Sequence, residues 1–185
     1  MNIVINVIVA CDRNGGIGKN HGMPWPPIKE DMAWFKKSTM NDVVVMGSST
    51  WNSFGMKKPL PDRVNAVFTS DPSSCPGADI YLSGSVTEEL RKLESYYPGT
   101  TIWVIGGADI IKQCSDIIDF WYITRLPDVY NCDTFVPMIW DNTEYECLYQ
   151  DIKKNVMVSL VPRRYEDIVF EIWGKDGTTI NKKVD

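Results

Sequence analysis

The sequence predicts an α/β fold: a single domain with a mixed, mostly parallel central β-sheet flanked by about four helices. In the first two thirds of the chain, β-rich apolar runs alternate with turn residues and helical patterns, which is typical of α/β sheets. In the last third the helical patterns disappear, which favours antiparallel strands at one edge of the sheet. The length of 185 residues fits one domain with a substantial core.

The strands of this sheet are expected where apolar, β-branched runs end in turn residues. Buried strands are predicted at residues 3–11, 43–47, 64–69, 101–106 and 117–124. The antiparallel strands are predicted at residues 145–152, 156–161 and 168–173. These elements place the domain at residues 1–174 and leave a polar C-terminal tail at residues 175–185.

Four helices are expected between these strands. Proline is accepted in the first turn of a helix, so Pro26 and Pro27 predict a helix that begins near Ile28. A capping box formed by Ser85 and Glu88 predicts a helix over residues 86–96. Two further helices are expected near Thr50 and after Gly107, where buried strands end in glycine.

Composition excludes several classes of partner. A net charge of −5 and a pI of about 4.9 argue against nucleic acid, which is bound by clustered Lys and Arg. No run approaches the ~18 apolar residues of a membrane span, and no basic segment precedes the N-terminal apolar run. Five cysteines without C-x-x-C spacing and one histidine, His21, argue against a metal site and favour a reduced, cytoplasmic protein.

The stretch MPWPPIKEDMAWFKK places a carboxylate among apolar residues. At about 100° per residue, Asp31 falls between Phe35 and Trp34 on the apolar arc of the predicted helix, whereas Glu30 falls on the solvated side. Asp31 could simply cap the helix, since carboxylates favour the first turn. A buried carboxylate that pairs with a ligand is the alternative, because an unpaired ion is costly to bury.

Two glycine segments and one arginine could also carry chemistry. The strands that end at Gly47 and at Gly106-Gly107 are each followed by a predicted helix start, whose backbone N–H groups can hold a phosphate; a tight turn is the alternative at each. Arg63, in PLPDR, could hold a carboxylate with its planar guanidinium or could be an ordinary surface residue. Asp12 and Glu88 are expected on the solvated surface.

Taken together, the segments IVACDRNGGIGKNHGMPWPPIKEDMAWFKK, VVMGSSTWNSF, PLPDRVNAVFTS, WVIGGADI and CDTFVP resemble dihydrofolate reductase in order and spacing, from Ile3 to Trp173. The MPW turn followed by an acid and then by G-x-x-T-W is the most specific part. The resemblance implies the dihydrofolate reductase fold, a monomer, and transfer of a hydride from NADPH to 7,8-dihydrofolate. The product, tetrahydrofolate, would serve one-carbon metabolism and thymidylate synthesis.

On the substrate side, the resemblance assigns Asp31 to the pocket carboxylate that hydrogen-bonds the 2-amino group and ring nitrogen of the pterin. Trp25 matches the tryptophan that holds a water near this acid, and Met23 belongs to the same loop; these three are the expected catalytic residues. Arg63 matches the clamp on the glutamate α-carboxylate. Met32, Phe35 and Phe54 match the apolar walls around the pterin and aminobenzoyl ring. The other substrate-binding positions are Ile8, Val9, Ile105 and Thr124.

On the cofactor side, Ile17 and Gly18 match a mobile loop over the nicotinamide, and Gly106 and Gly107 match the pair that faces the ring and phosphates. Thr50 would lie at the pyrophosphate. The other cofactor-binding positions are Ala10, Gly47, Ser48, Ser49, Thr69, Ser70 and Ala108. The resemblance implies no metal.

The sequence departs from the family in two places. Cations that often hold the 2′-phosphate of NADPH are replaced by uncharged residues: Ser48, Ser49, Ser70 and Gly84. The preference for NADPH over NADH is therefore left open, although Lys57 or Lys58 could reach the phosphate. Ile111 replaces a tyrosine that often lies near the nicotinamide, which could slow the chemical step.

Two alternative functions are kept. The related reductase of flavin biosynthesis shares the fold and the nicotinamide half, but residues 23–35 and Arg63 argue against it. A binding or structural protein that kept the fold and lost catalysis is the second alternative. Oxidation of the dinucleotide in the presence of dihydrofolate distinguishes them.

Overall fold

A computed structural model describes residues 4–180. Its strands are β1 (Ile5–Cys11), β2 (Gly16–Gly18), β3 (Val43–Gly47), β4 (Val64–Phe68), β5 (Ile80–Leu82), β6 (Ile102–Gly106), β7 (Phe120–Arg125), β8 (Thr134–Phe135), β9 (Tyr145–Leu160) and β10 (Arg163–Lys175). The α-helices are α1 (Lys29–Thr39), α2 (Ser48–Trp51), α3 (Val86–Tyr96) and α4 (Ala108–Cys114). None of these helices is long and apolar enough to cross a membrane.

Eight strands form one sheet in the order β5-β4-β3-β6-β1-β7-β10-β9. The strands from β5 to β7 are parallel, whereas β10 pairs antiparallel with both β7 and β9. The predicted mixed, mostly parallel sheet with antiparallel C-terminal strands is therefore confirmed. Because the carboxyl ends of parallel strands share one edge, β1, β3, β4 and β6 bring Cys11, Gly47, Phe68 and Gly106 to the same edge.

The core lies on both faces of the sheet because successive side chains of a strand point to opposite faces. Val43 and Val45 of β3 pack in one cluster with Leu90 of α3 and Ile111 of α4. Val44 and Met46 of the same strand pack in a second cluster with Trp51, Leu60 and Trp103. A third cluster joins Trp25 and Ile28 to β9 and β10.

Some predicted boundaries are wrong. Residues 115–117 form a 3-10 turn, so the strand expected from residue 117 begins at Phe120. The two strands expected at residues 145–152 and 156–161 are one strand, β9. The polar residues between them belong to a bulge in which Asn155 has a φ of 56° and its N–H donates to Asp167 Oδ1 at 3.0 Å.

The C-terminal end of the predicted domain is only partly described. Lys175 is the last residue of β10, and Thr178 Oγ1 donates to the Lys175 carbonyl at 2.6 Å in the turn that follows. Residues 181–185 of the predicted tail, and Ile3 at the start of the first predicted strand, lie outside the described residues. The division at residue 174 stays a prediction.

Candidate active site

The candidate site lies at the carboxyl edge of β1 and β7, beside the start of α1. Parallel pairing sets Ile8 opposite Tyr122 and Ala10 opposite Thr124. Ile8 is buried, whereas Val9 and Ala10 are half-buried. The sheet thus brings the predicted β1 residues and Thr124 to one place.

Asp31 lies in the first turn of α1, next to Glu30. It is half-buried, and its carboxylate accepts a hydrogen bond from the hydroxyl of Thr124, which is 1% exposed. Burial raises the pKa of the Asp31 carboxyl, and the hydrogen bond from Thr124 opposes that shift. The side chain of Asp31 therefore contacts β7, as a pocket carboxylate would. Burial makes its ionised form less stable than the same group would be in water.

The apolar residues around Asp31 differ widely in exposure. Trp25 is buried and packs edge-on against Tyr130, with ring centroids 5.2 Å apart. Met32, on the apolar arc predicted for α1, is 57% exposed, and Met23, in the loop before the helix, is also 57% exposed. An apolar surface this open next to a poorly hydrated carboxylate is suited to a flat ligand with one polar edge.

Phe54 was predicted to form an apolar wall. It is 94% exposed, and its N–H donates to the His21 carbonyl at 3.0 Å, which places it beside the loop that carries Met23. Phe35, by contrast, is half-buried. The role of Phe54 as a wall stays a prediction.

Arg63 is held in a fixed orientation. Its Nε donates to the Pro61 carbonyl at 3.0 Å, and one terminal nitrogen donates to Thr39 Oγ1, also at 3.0 Å. Thr39, at the end of α1, is fully buried and donates in turn to the Phe35 carbonyl. The guanidinium carbon lies 5.8 Å from the centroid of the Phe35 ring. Arg63 is therefore an arginine positioned by the same helix that carries Asp31.

The two glycine segments meet at the carboxyl edge of the sheet. A Cβ built on Gly106 would lie 2.8 Å from Thr50 Oγ1, and one on Gly107 would lie 3.5 Å from the same atom. A Cβ on Gly47 would lie 3.3 Å from Ile110 and 3.8 Å from the Gly107 nitrogen. Gly106 also has a φ of +145°. Because the Thr50 side chain lies this close, a Cβ at position 106 would clash, and the positive φ favours glycine there as well.

A surface cavity of about 290 Å³ begins at Ser48, directly after Gly47. It brings together residues that follow β3, β4 and β5: Ser48, Phe68, Thr69, Ser70, Leu82, Ser83 and Gly84. Of the predicted cofactor positions in this region, Ser49 is exposed on α2 and does not line the cavity. No charged side chain belongs to the lining.

The remaining predicted residues take varied positions. Ile17 and Gly18 lie on β2, which pairs with β8, while Ile105 and Ala108 flank the Gly106-Gly107 pair; all four are half-buried. Ile111 is fully buried in the core and presents no polar atom to the site. Within residues 4–180, no group of three or more His, Cys, Asp or Glu side chains is arranged to hold a metal ion.

Asp12 was expected on the surface, and this expectation is wrong. It is 1% exposed, and its Oδ1 accepts hydrogen bonds from the N–H groups of Asn14 and Gly16, each at 2.8 Å. Its Oδ2 accepts from the Tyr130 N–H at 3.0 Å and from the Cys132 thiol. Asp12 therefore ties the loop that carries Ile17 to the segment before β8. The sequence D-R-N-G-G that begins at Asp12 is a turn signal that could have indicated the local half of this network.

Replacing Asp12 by asparagine should destabilise the protein by about 1–3 kcal/mol, because the amide NH₂ cannot accept and leaves buried N–H groups unpaired. Urea unfolding measures the change, and hydrogen exchange at Gly16 and Tyr130 should become faster. The matched control is Asp71→Asn, since Asp71 makes the same kind of bonds to Ser73 on the exposed surface. Equal stability losses in the two variants would contradict the structural role of Asp12.

Comparisons with known proteins show which family the chain belongs to. The family model for dihydrofolate reductase matches residues 4–162. Dihydrofolate reductase type 8 from Escherichia coli is 34% identical over 148 residues, which cover 78% of this chain and 86% of that protein. Dihydrofolate reductase from Mus musculus is 31% identical over 157 residues, which cover 78% and 83%.

A solved structure shows the same fold. Dihydrofolate reductase from Enterococcus faecalis, complexed with NADP(H) and RAB-propyl, has a TM-score of 0.77 and 26% sequence identity to this chain. The match covers 94% of this chain and 96% of that one. With a matching family model over most of its length and relatives above 30% identity, the chain belongs to the dihydrofolate reductase family.

Proposed function

We propose that the chain reduces 7,8-dihydrofolate to tetrahydrofolate with NADPH. The observation that carries this proposal is Asp31, a half-buried carboxylate whose pKa is raised by burial and which accepts a hydrogen bond from Thr124 on β7. A carboxylate that is poorly hydrated gains most from a ligand that donates hydrogen bonds to it. The amino group and protonated ring nitrogen of a pterin edge supply such donors.

The rest of the substrate would extend from Asp31 along α1. Met32 and Phe35 offer apolar surface for the pterin and aminobenzoyl rings, while Arg63 lies beyond Phe35, near the end of the helix. A guanidinium held by Thr39 and Pro61 is already oriented, so it loses little freedom when it binds the glutamate α-carboxylate. Asp31 and Arg63 would thus hold opposite ends of one molecule.

The backbone of the two glycine segments would hold a dinucleotide. Thr50 packs so closely against Gly106 that a Cβ there would clash, so the main chain at Gly106 carries no side chain and would be open to a ligand. Gly47, Thr50, Gly106 and Gly107 would hold the pyrophosphate and nicotinamide, next to Ile17, Gly18 and Ala10. When bound there, NADPH supplies the hydride. The hydroxyl-lined cavity formed by Ser48, Thr69 and Ser70 would take the adenosine end.

The protein would contribute orientation, exclusion of water and control of one proton. The balanced reaction consumes dihydrofolate, NADPH and a proton and yields tetrahydrofolate and NADP⁺. Asp31 would hold the pterin and stabilise its protonated form. A water admitted between Met23 and Trp25 would deliver the proton to N5, because no second acid or histidine is among the assigned pocket residues. Closure of the loop from Ile17 to Met23 would keep bulk water away.

The assay that tests this function follows absorbance near 340 nm with dihydrofolate and NADPH. Steady oxidation of NADPH that depends on dihydrofolate and is blocked by methotrexate is expected. Oxidation with a ribosylamino-pyrimidine in place of dihydrofolate would support the reductase of flavin biosynthesis instead. Binding of both ligands without turnover would support a catalytically inactive binding protein.

Three further assignments are part of the proposal. The catalytic domain would span residues 1–174, the chain would act as a monomer, and it would work in the cytoplasm. All five cysteines are unpaired thiols, which suits a reducing compartment. Sedimentation at micromolar concentration tests the monomer, and a truncation after Gly174 that folds and turns over tests the domain boundary.

Replacing Arg63 by lysine should raise the KM for dihydrofolate by about tenfold or more and leave kcat nearly unchanged. A lysine ammonium cannot make the planar, two-pronged contact, and the contact lies far from the reacting atoms. Steady-state kinetics at saturating NADPH measures both constants. Arg91→Lys, on the exposed face of α3, is the control and should change neither. An unchanged KM in Arg63→Lys would reject the clamp.

A further inference from the structure

We propose that this chain discriminates poorly between NADPH and NADH and binds the two with affinities that differ by less than about tenfold. The proposal rests on the proposed function, and it concerns the cavity lined by Ser48, Thr69, Ser70 and Gly84. The two cofactors differ only at the ribose 2′ position, which carries a phosphate in NADPH and a hydroxyl in NADH. Discrimination therefore depends on what the protein places around that position.

The cavity is where the adenosine end of a dinucleotide would lie. Ser48 follows Gly47 directly, so the cavity begins beside the first glycine segment. Thr69 and Ser70 follow β4, and Ser83 and Gly84 follow β5, at the outer edge of the sheet. A dinucleotide that extends from Gly106 past Thr50 towards this outer edge would place its adenosine end in the cavity.

The polar side chains of the lining are all hydroxyls. Charge-assisted hydrogen bonds are roughly twice as strong as neutral ones, and sites for phosphate groups commonly use Arg or Lys. Ser48, Ser70 and Ser83 can donate to a phosphate but can donate equally to a ribose hydroxyl. Thr69 is already engaged, because its hydroxyl donates to the Asp71 carbonyl at 3.0 Å and accepts from the Asp71 N–H at 3.1 Å.

Two lysines in this part of the chain are held by other partners. Lys58 Nζ donates to Asn52 Oδ1 at 3.0 Å and lies 6.0 Å from the centroid of the Trp51 ring. Lys92 Nζ pairs with Glu89 at 2.6 Å. The nearest charged residue in sequence is Asp71, directly after Ser70, and its negative charge disfavours a phosphate. The lining of the cavity therefore offers hydroxyls, and no charged side chain, to the 2′-phosphate of NADPH.

Direct binding tests this proposal without turnover. Titration of the full chain with NADPH and with NADH, in the absence of folate and followed by tryptophan fluorescence, should give dissociation constants within tenfold of each other. Competition by 2′,5′-ADP and by 5′-AMP should show the same small difference. A preference of tenfold or more for NADPH would overturn the proposal.

A variant that adds a positive charge to the cavity provides the complementary test. Ser70→Arg should increase the preference for NADPH by at least tenfold and make NADPH binding weaken more steeply with salt. Ser95→Arg, on the exposed end of α3, is the control for the added charge and should leave the ratio unchanged. A Ser70→Arg variant that does not change the ratio would place the 2′ position elsewhere and overturn the assignment.

The lysines are tested separately. Lys57→Met and Lys58→Met should each leave the ratio of the two dissociation constants unchanged, and a falling preference for NADPH in either variant would show that a lysine supplies the missing charge. The outcome is separable from that of the proposed function. Binding of either dinucleotide with no oxidation by dihydrofolate would reject the reductase, whereas oxidation of NADPH with weak NADH binding would reject only the inference.

Discussion

Replacing Asp31 by asparagine is expected to lower the rate of hydride transfer to dihydrofolate near neutral pH by roughly 10²–10⁴-fold. The amide can still accept the hydrogen bond from Thr124, so the pocket keeps its shape. It cannot carry the negative charge that would stabilise a protonated pterin. Single-turnover kinetics under conditions where both ligands are saturating measures the chemical step directly.

The stability of this variant should change in the opposite direction from its activity. Burial raises the pKa of the Asp31 carboxyl in the folded protein above its unfolded value, so the folded state binds this proton more tightly. The contribution to stability is therefore present below the unfolded pKa and is lost as pH rises through the folded pKa. At neutral pH the ionised Asp31 is a cost, and Asp31→Asn should unfold at an equal or higher urea concentration.

Glu30→Gln is the matched control for Asp31→Asn. Glu30 occupies the same helical turn and is half-buried like Asp31, although the helical wheel predicted it on the solvated side. Its replacement should leave hydride transfer within about twofold of the wild-type rate. Equal losses in both variants would mean that helix charge, and not the pocket carboxylate, controls the reaction.

Replacing Gly106 by alanine is expected to abolish most of the affinity for NADPH and to destabilise the fold by about 1–3 kcal/mol. The new Cβ would lie 2.8 Å from Thr50 Oγ1 and 3.2 Å from Thr50 Cγ2, so either α2 or the Gly106-Gly107 segment must move. The φ of +145° at this position is also unfavourable for any residue with a Cβ. Fluorescence titration with NADPH and urea unfolding measure the two effects.

Gly99→Ala separates backbone strain from the clash. Gly99 has a φ of +84°, and a Cβ there would meet nothing within 4 Å. This variant should lose some stability but keep its affinity for NADPH. Wild-type affinity in Gly106→Ala would show that the backbone of the glycine pair does not hold the cofactor.

Much of the fold could be predicted because its signals are local. The parallel strands are short apolar runs that end in turn residues, and Ser85 does accept from the Glu88 N–H at the start of α3. The strands β2, β5 and β8 have only two or three residues, too few to show a period. The single strand β9 could not be distinguished from two, because a bulge and a loop have the same polar composition.

In the site, too, features set by neighbouring residues could be predicted, whereas contacts between distant segments of the chain could not. Helical periodicity placed Asp31 on the apolar arc and Glu30 on the solvated side; the structure half-buries both, and Asp31 is bonded to Thr124 on β7. The burial of Asp12 depends on Tyr130, 118 residues further along the chain, and the link between Arg63 and Thr39 joins two segments whose packing the sequence does not reveal. The contact of Thr50 with Gly106 likewise exists only once β3 and β6 are neighbours in the sheet.

The central claim is that a carboxylate drawn out of water binds the pterin, and a titration of Asp31 followed by ¹³C NMR of its carboxyl carbon tests it most directly. The free protein should show a pKa for Asp31 above the usual aspartate value of about 3.9. Addition of dihydrofolate should shift the Asp31 resonance and leave that of Asp71 unchanged. An ordinary pKa together with a resonance that does not respond to dihydrofolate would contradict the account.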